Sequence, residues 1–130
     1  MKCIKQSNQS LKILNMQPQF ILGLGCMILG QILVWFQTNA QFLWPKTKEY
    51  TILISLTGGA LISYLFITGV GKIAASFEGE VWPSRIIPSA TGTVIFAIMT
   101  WMLLGQGITP KTGVCLILSF AIIAIQIFWK

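Results

Sequence analysis

The sequence has 130 residues, of which 55% are hydrophobic and only 9% are charged. A soluble domain carries about 25% charged residues, so this composition excludes an ordinary water-soluble domain, and the length allows one domain at most. The formal net charge is +6, but the basic residues lie singly between apolar runs. That distribution is typical of membrane anchoring and argues against nucleic-acid binding.

Four apolar segments without charged side chains cover residues 20–36, 50–70, 86–104 and 113–129. Each approaches the roughly 20 residues that a helix needs to cross the hydrocarbon core, and a helix satisfies its own backbone hydrogen bonds there. The sequence therefore predicts an all-α polytopic membrane protein with a bundle of four transmembrane helices over residues 19–130. A polar N-terminal arm, residues 1–18, is expected to be mobile or interfacial. The first apolar run exceeds the roughly 7–15 residues of a signal-peptide core, so we expect it to remain as a span.

The connections between the spans are predicted at residues 44–49, 71–85 and 105–112. Short connections make neighbouring spans antiparallel. In the last connection, Gly105 and Gly107 are expected to end the third span with positive φ. Thr109 is expected to cap the fourth helix, and Pro110 suits its first position.

The distribution of basic residues predicts the topology. Four antiparallel spans place both termini on one side, which holds six of the nine Lys and Arg residues, against three on the other. Because basic residues are enriched on the cytoplasmic side, we expect both termini in the cytoplasm, with the chain in the cell (inner) membrane.

Polar and aromatic residues inside the spans are the candidates for a functional site. Gln31 and Trp35 are separated by four residues, so they share a helix face. A polar group inside a membrane needs a partner and is a site hypothesis by default, while an interhelical hydrogen bond is the structural alternative. The candidate substrate-binding residues are Gln31, Trp35, Tyr64, Thr93 and Trp101.

Catalysis and metal binding are not expected. The sequence has no histidine, and its three cysteines match no zinc or redox spacing. We therefore predict that the chain is not an enzyme and has no metal site or cofactor. Its many glycines suit close helix packing, although they are also compatible with a substrate path.

The stretch "WMLLGQGITPKTG" (101–113) resembles the C-terminal hairpin of the drug/metabolite transporter superfamily, which includes small multidrug resistance and EamA-type proteins. That family has a proline near the start of the third span, then a "W-L-L-L-G-E-x-x-T" turn and a glycine-rich fourth span. The matching positions are Pro88, Trp101, Leu103, Leu104, Gly105, Thr109 and Gly113. Two departures are Gln106, where the family carries Glu, and Gly113, which arrives about two positions early.

The resemblance implies a small transporter, or a flippase for lipid-linked substrates. Because a lone four-helix bundle has little room for an interior site, we expect a dimer, parallel or inverted, around a small-molecule or lipid-linked substrate. Multidrug members use a glutamate in the first span for proton exchange, whereas the nearest residue here, Gln31, does not titrate. The alternative is a non-transporting structural or assembly subunit of a larger membrane complex. A transporter should show a polar crevice reaching Gln31 and Trp35, whereas in a structural subunit neighbouring helices should satisfy both side chains.

Overall fold

The chain is almost entirely helical. A computed structural model describes the backbone from residue 2 to 129 and the side chains from residue 18 to 129. In chain order the elements are α1 (Lys2–Leu43), a 3₁₀ helix (Pro45–Tyr50), α2 (Thr51–Ser76), α3 (Val81–Leu104) and α4 (Pro110–Phe128). No strand occurs between residues 2 and 129. The predicted all-α bundle of four helices is therefore confirmed.

Within the described part of the chain, four helical segments are long and apolar enough to cross a membrane. They are Pro18–Leu43, Pro45–Ser76, Val81–Leu104 and Pro110–Phe128. Helix α1 begins at Lys2 and runs without interruption to Leu43, so its backbone includes most of the polar arm predicted at residues 1–18. The side chains of residues 1–17 lie outside the described residues, so the predicted interfacial position of the arm stays a prediction.

The helices extend beyond the apolar runs that identify them in the sequence. The connection between α2 and α3 consists of residues 77–80, whereas the sequence suggests 71–85. Hydropathy follows the hydrocarbon core, but helical hydrogen bonding continues into the interfacial region, where polar side chains reach water. The turn itself has Glu78 and Gly79 at positive φ, 58° and 92°, and the Gly79 N–H donates to the Ala74 carbonyl at 2.9 Å.

The turn between α3 and α4 follows the local chemistry of its sequence. Gly105 ends α3 in the left-handed region with φ of 65°, which costs a glycine little. The Thr109 hydroxyl oxygen accepts a hydrogen bond from the Thr112 N–H at 3.3 Å, and Pro110 begins α4. The predicted roles of these three residues are confirmed. The prediction for Gly107 is wrong, because its φ is not positive and one left-handed residue is enough to end the helix.

Helix α1 is central to the bundle. It packs against both α2 and α3, and α2 also packs against α3, whereas α4 packs only against α3 among the described elements. Side chains of the first three helices form the core, namely Met27 and Trp35 of α1, Ile73 of α2 and Ile87 of α3. In contrast, Ser119 is the one buried residue of α4. The molecule is thus a three-helix core with a peripheral fourth helix.

Two glycines allow α1 and α2 to approach closely. A Cβ atom added at Gly23 would lie 3.1 Å from the Gly69 carbonyl oxygen, and one added at Gly69 would lie 3.0 Å from the Gly23 carbonyl oxygen. In lipid, helix association depends on such close packing rather than on expulsion of water. These glycines therefore act as packing residues, the simpler of the two roles considered for the small residues.

Candidate functional site at the α1–α3 interface

Gln31 lies near the middle of the first span and contacts α3. Its Nε2 donates a hydrogen bond to the Pro88 carbonyl oxygen at 3.3 Å. Gly92 provides the space, because a Cβ atom there would lie 2.6 Å from Nε2 and 2.7 Å from Cδ of Gln31. The amide thus lies against bare backbone of α3, close to the middle of that helix as well.

Trp35 lies one turn further along α1 and also contacts α3. Its side chain is only 1% exposed, and its Nε1 donates to the Thr100 Oγ1 at 3.0 Å. The indole ring also meets Phe36 edge to face, with 5.4 Å between the ring centroids. The shared face predicted for Gln31 and Trp35 is therefore the face that α1 presents to α3.

The other three candidate residues do not join this contact. Tyr64 is 67% exposed and Trp101 is 56% exposed. Thr93 is also exposed, and its hydroxyl donates to the Ser89 carbonyl of its own helix at 3.1 Å. Within one chain, the structure therefore brings together Gln31 and Trp35 and leaves Tyr64, Thr93 and Trp101 on the outer surface of the bundle.

Two further polar residues of α1 make contacts that the sequence analysis missed. The Gln37 Nε2 donates to the carbonyl oxygens of Ile54 and Ser55 in α2, at 3.3 and 3.4 Å. Asn39 is buried, and its Nδ2 donates to the Trp35 carbonyl at 3.0 Å. Both lie just beyond the apolar run 20–36, so hydropathy does not place them inside a span. The sequence does indicate that Asn39 shares a helix face with Gln31 and Trp35, because the three residues are spaced four apart.

Hydrogen bonding within this interface is nearly complete. Among the described residues, no buried side-chain nitrogen or oxygen lacks a hydrogen-bond partner. The Gln31 Oε1, which is partly exposed, accepts no hydrogen bond from any described donor. The polar groups of this contact, amides, an indole and a hydroxyl, do not change protonation near neutral pH. The arrangement is therefore suited to holding helices together, and it has no side chain that relays protons.

Residues that commonly bind metals are not clustered. Among residues 18–129, no three His, Cys, Asp or Glu side chains lie close enough to hold a metal ion. Cys26 and Cys115 are free thiols on different helices.

The fold and the interface together define a multi-pass integral membrane protein whose apolar helices are joined by side-chain amide contacts to backbone. Comparison of the chain with protein-family models, with curated proteins and with solved structures gives no match. The resemblance to the drug/metabolite transporter superfamily therefore still rests on residues 88–113 alone.

Proposed function

We propose that this chain is a non-transporting subunit that helps to build or hold together a larger membrane complex. The observation that carries the proposal is the hydrogen bonding of the two central candidate side chains. Gln31 and Trp35 both donate hydrogen bonds to α3, as expected for a structural subunit. The proposal includes no catalytic step.

The position of α4 supports an assembly role. Among the described elements this helix packs only against α3, and one of its residues is buried. Its outer surface therefore has the area to pack against another membrane helix as well as against lipid. The proposal predicts that the chain, extracted in mild detergent, migrates in a complex much larger than its own 14.4 kDa. Migration as a single chain would contradict it.

A dimeric transporter or flippase is the second candidate. It is favoured by the unoccupied acceptor of the Gln31 amide near mid-membrane depth, which a substrate donor would suit. It is also favoured by the outward-facing Tyr64, Trp101 and Thr93, which a second copy could bring to a shared site. The two candidates differ in whether water reaches the α1–α3 interface.

Cysteine labelling distinguishes them. Gln31→Cys and Ala97→Cys would each be introduced after replacing the three native cysteines by alanine, then exposed to a membrane-impermeant thiol reagent from each side. Ala97 is buried in α3, and its replacement leaves the Gln31 amide in place. Gly107→Cys in the turn is the control that must react, and Ile67→Cys, on the exposed apolar surface of α2, is the control that must not.

The subunit proposal expects both test positions to stay unlabelled, like Ile67→Cys. Labelling of Ala97→Cys at a rate approaching that of Gly107→Cys would reveal a water-filled path and favour the transporter. Transport assays in proteoliposomes complete the comparison, because Gln31→Leu should abolish transport only if the amide binds substrate.

The same labelling tests the proposed topology. The excess of basic residues on the side of the termini supports a cytoplasmic location for both ends in the cell (inner) membrane. Gly107 lies in the turn at the opposite end of the bundle. Gly107→Cys should therefore react from outside intact cells, and reaction only after permeabilisation would reverse the topology.

A further inference from the structure

A groove of about 330 Å³ lies between α1 and α2, on a different face from the polar α1–α3 interface. On one side the lining runs from Leu33 in α1 to Trp44, the residue that follows α1, and on the other it runs from Ile54 to Ile62 in α2. Gly58 lines the groove between Ile54 and Ile62, where it adds no side chain to the groove. The groove is open along its side, and its volume is near the lower end of the roughly 300–1,000 Å³ found for small-molecule sites.

The length of the groove matches one leaflet of a bilayer. From Leu33 in α1 to Trp44, the residue after α1, the lining advances by 11 residue steps, and from Ile54 to Ile62 in α2 it advances by 8 steps. At 1.5 Å per residue these correspond to about 16 Å and about 12 Å. Half of the hydrocarbon core is about 15 Å. The groove starts beside the 3₁₀ helix, where Thr47 lines it, and ends at Leu33, near the middle of the span.

The chemistry of the lining excludes water as the occupant. The walls are almost entirely apolar, and the threonine hydroxyls that reach them donate to their own backbone. The Thr47 Oγ1 donates to the Trp44 carbonyl at 2.7 Å, and the Thr57 Oγ1 donates to the Leu53 carbonyl at 2.8 Å. The Gln37 amide donates to α2 backbone. An ordered water needs two to four polar partners, so a hydrocarbon chain is the better occupant.

The mouth of the groove carries positive charge. Lys46 and Lys48 are exposed and flank Thr47 in the 3₁₀ helix. Glu49 is the next residue, so two lysines and one glutamate leave one net positive charge on this helix. Lys111, at the start of α4, lies at the same end of the bundle. An anionic headgroup is therefore favoured here over a zwitterionic one.

We infer that this groove binds one acyl chain of an anionic phospholipid from the leaflet opposite the termini, with the headgroup phosphate beside Lys46 and Lys48. The inference does not depend on the function proposed above, because it concerns a separate face of α1. A bound lipid would occupy the space between α1 and α2 that neither helix fills.

Native mass spectrometry of the full chain in a non-ionic detergent tests this site. The probes are phosphatidylglycerol and phosphatidylcholine with identical acyl chains. We expect one phosphatidylglycerol molecule per chain, bound more tightly than phosphatidylcholine. Lys46→Gln and Lys48→Gln should each weaken phosphatidylglycerol binding roughly five-fold, from about 1 kcal/mol per lysine near a membrane surface. Lys111→Gln is the charge-matched control and should have a smaller effect.

A groove-filling variant separates this site from general lipid association. Ala40 lines the groove, so Ala40→Phe should abolish the one-to-one adduct of both lipids, whereas Ala124→Phe on the exposed surface of α4 should not. Equal adducts in the two variants would overturn the proposal, as would equal affinity of the wild-type chain for the two lipids.

Fluorescence provides a second measurement that does not depend on filling the groove. One phosphatidylglycerol with brominated acyl chains per chain should quench Trp44, which lines the groove, more than the exposed Trp82 at the other end of the bundle. Trp44→Phe should therefore remove more of the quenching than Trp82→Phe. An equal loss in the two variants would show lipid at the periphery only and would overturn the proposal.

Discussion

The contact between Gly23 and Gly69 allows a quantitative test of how α1 and α2 are held together. We predict that Gly23→Ala destabilises the folded protein, whereas Gly25→Ala, two residues away on the same helix, does not. A Cβ atom at position 23 would lie 2.9 Å from the Ile73 Cγ1 and 3.0 Å from the Lys72 Cβ, while one at position 25 would meet nothing within 4 Å.

The magnitude follows from these distances. Carbon atoms prefer separations of about 3.5–4.0 Å, so the new methyl group requires α1 and α2 to separate by roughly 0.5–1 Å. Overpacking of this kind costs about 1–3 kcal/mol. The gain in helix propensity from Gly to Ala, up to about 1 kcal/mol, is common to both variants and cancels in their difference. The stability difference between Gly23→Ala and Gly25→Ala should therefore be about 1–3 kcal/mol, a factor of about 5–150 in the unfolding constant.

The measurement is unfolding in mixed micelles with increasing fractions of sodium dodecyl sulfate, followed by circular dichroism. The pair Gly69→Ala and Gly71→Ala repeats the comparison on α2, because position 69 contacts the Gly23 carbonyl oxygen whereas position 71 is open. A difference below about 0.5 kcal/mol in both pairs, the usual range of surface substitutions, would refute the proposed backbone contact.

Two further predictions concern the α3–α4 turn and the α1–α3 contact. Gly105→Ala places a side chain on a residue in the left-handed region, at φ of 65°, and should destabilise the protein by about 1 kcal/mol. The control Gly107→Ala, in the same turn, should leave the stability unchanged. Equal effects of the two substitutions in the micelle assay would contradict this prediction. A double-mutant cycle of Trp35→Phe and Thr100→Val should give a coupling energy of about 0.6 kcal/mol and at most about 1.7. Strict additivity would mean that the indole N–H finds another acceptor.

The fold was predictable because lipid permits few backbone structures. Segments without charge and of membrane-spanning length leave the helix as the structure that satisfies every backbone group, so the four spans follow from composition. The turn around Gly105 and Thr109 was predictable because capping is local chemistry within a few residues. The short α2–α3 connection was not predictable from hydropathy. Helix α2 continues beyond its apolar run to Ser76, and α3 begins at Val81, before its own apolar run. Hydropathy carries no signal for these helix ends.

The candidate site was predictable only in part, for a related reason. The spacing of Gln31 and Trp35 fixes a common face, but it does not tell which helix that face contacts. The acceptor for Gln31 is the Pro88 backbone carbonyl, and every residue has such a group, so no residue type identifies it. Thr100, in contrast, is a side-chain acceptor and could be named in advance as a possible partner.

A recurring arrangement links the two glutamines of α1 with glycines on the neighbouring helices. Gln31 lies against Gly92 of α3, and Gln37 lies against Gly58 of α2; each amide donates to backbone carbonyls that already belong to a helix. A carbonyl oxygen has a second lone pair, but a neighbouring side chain normally covers it, and glycine removes that cover. The pairing of a glutamine with a glycine therefore gives a polar side chain in lipid a partner without a second polar residue. This explains how α1 carries amides into the membrane while the facing positions of α2 and α3 remain small and apolar, and it is the physical reason for assigning these residues to helix association.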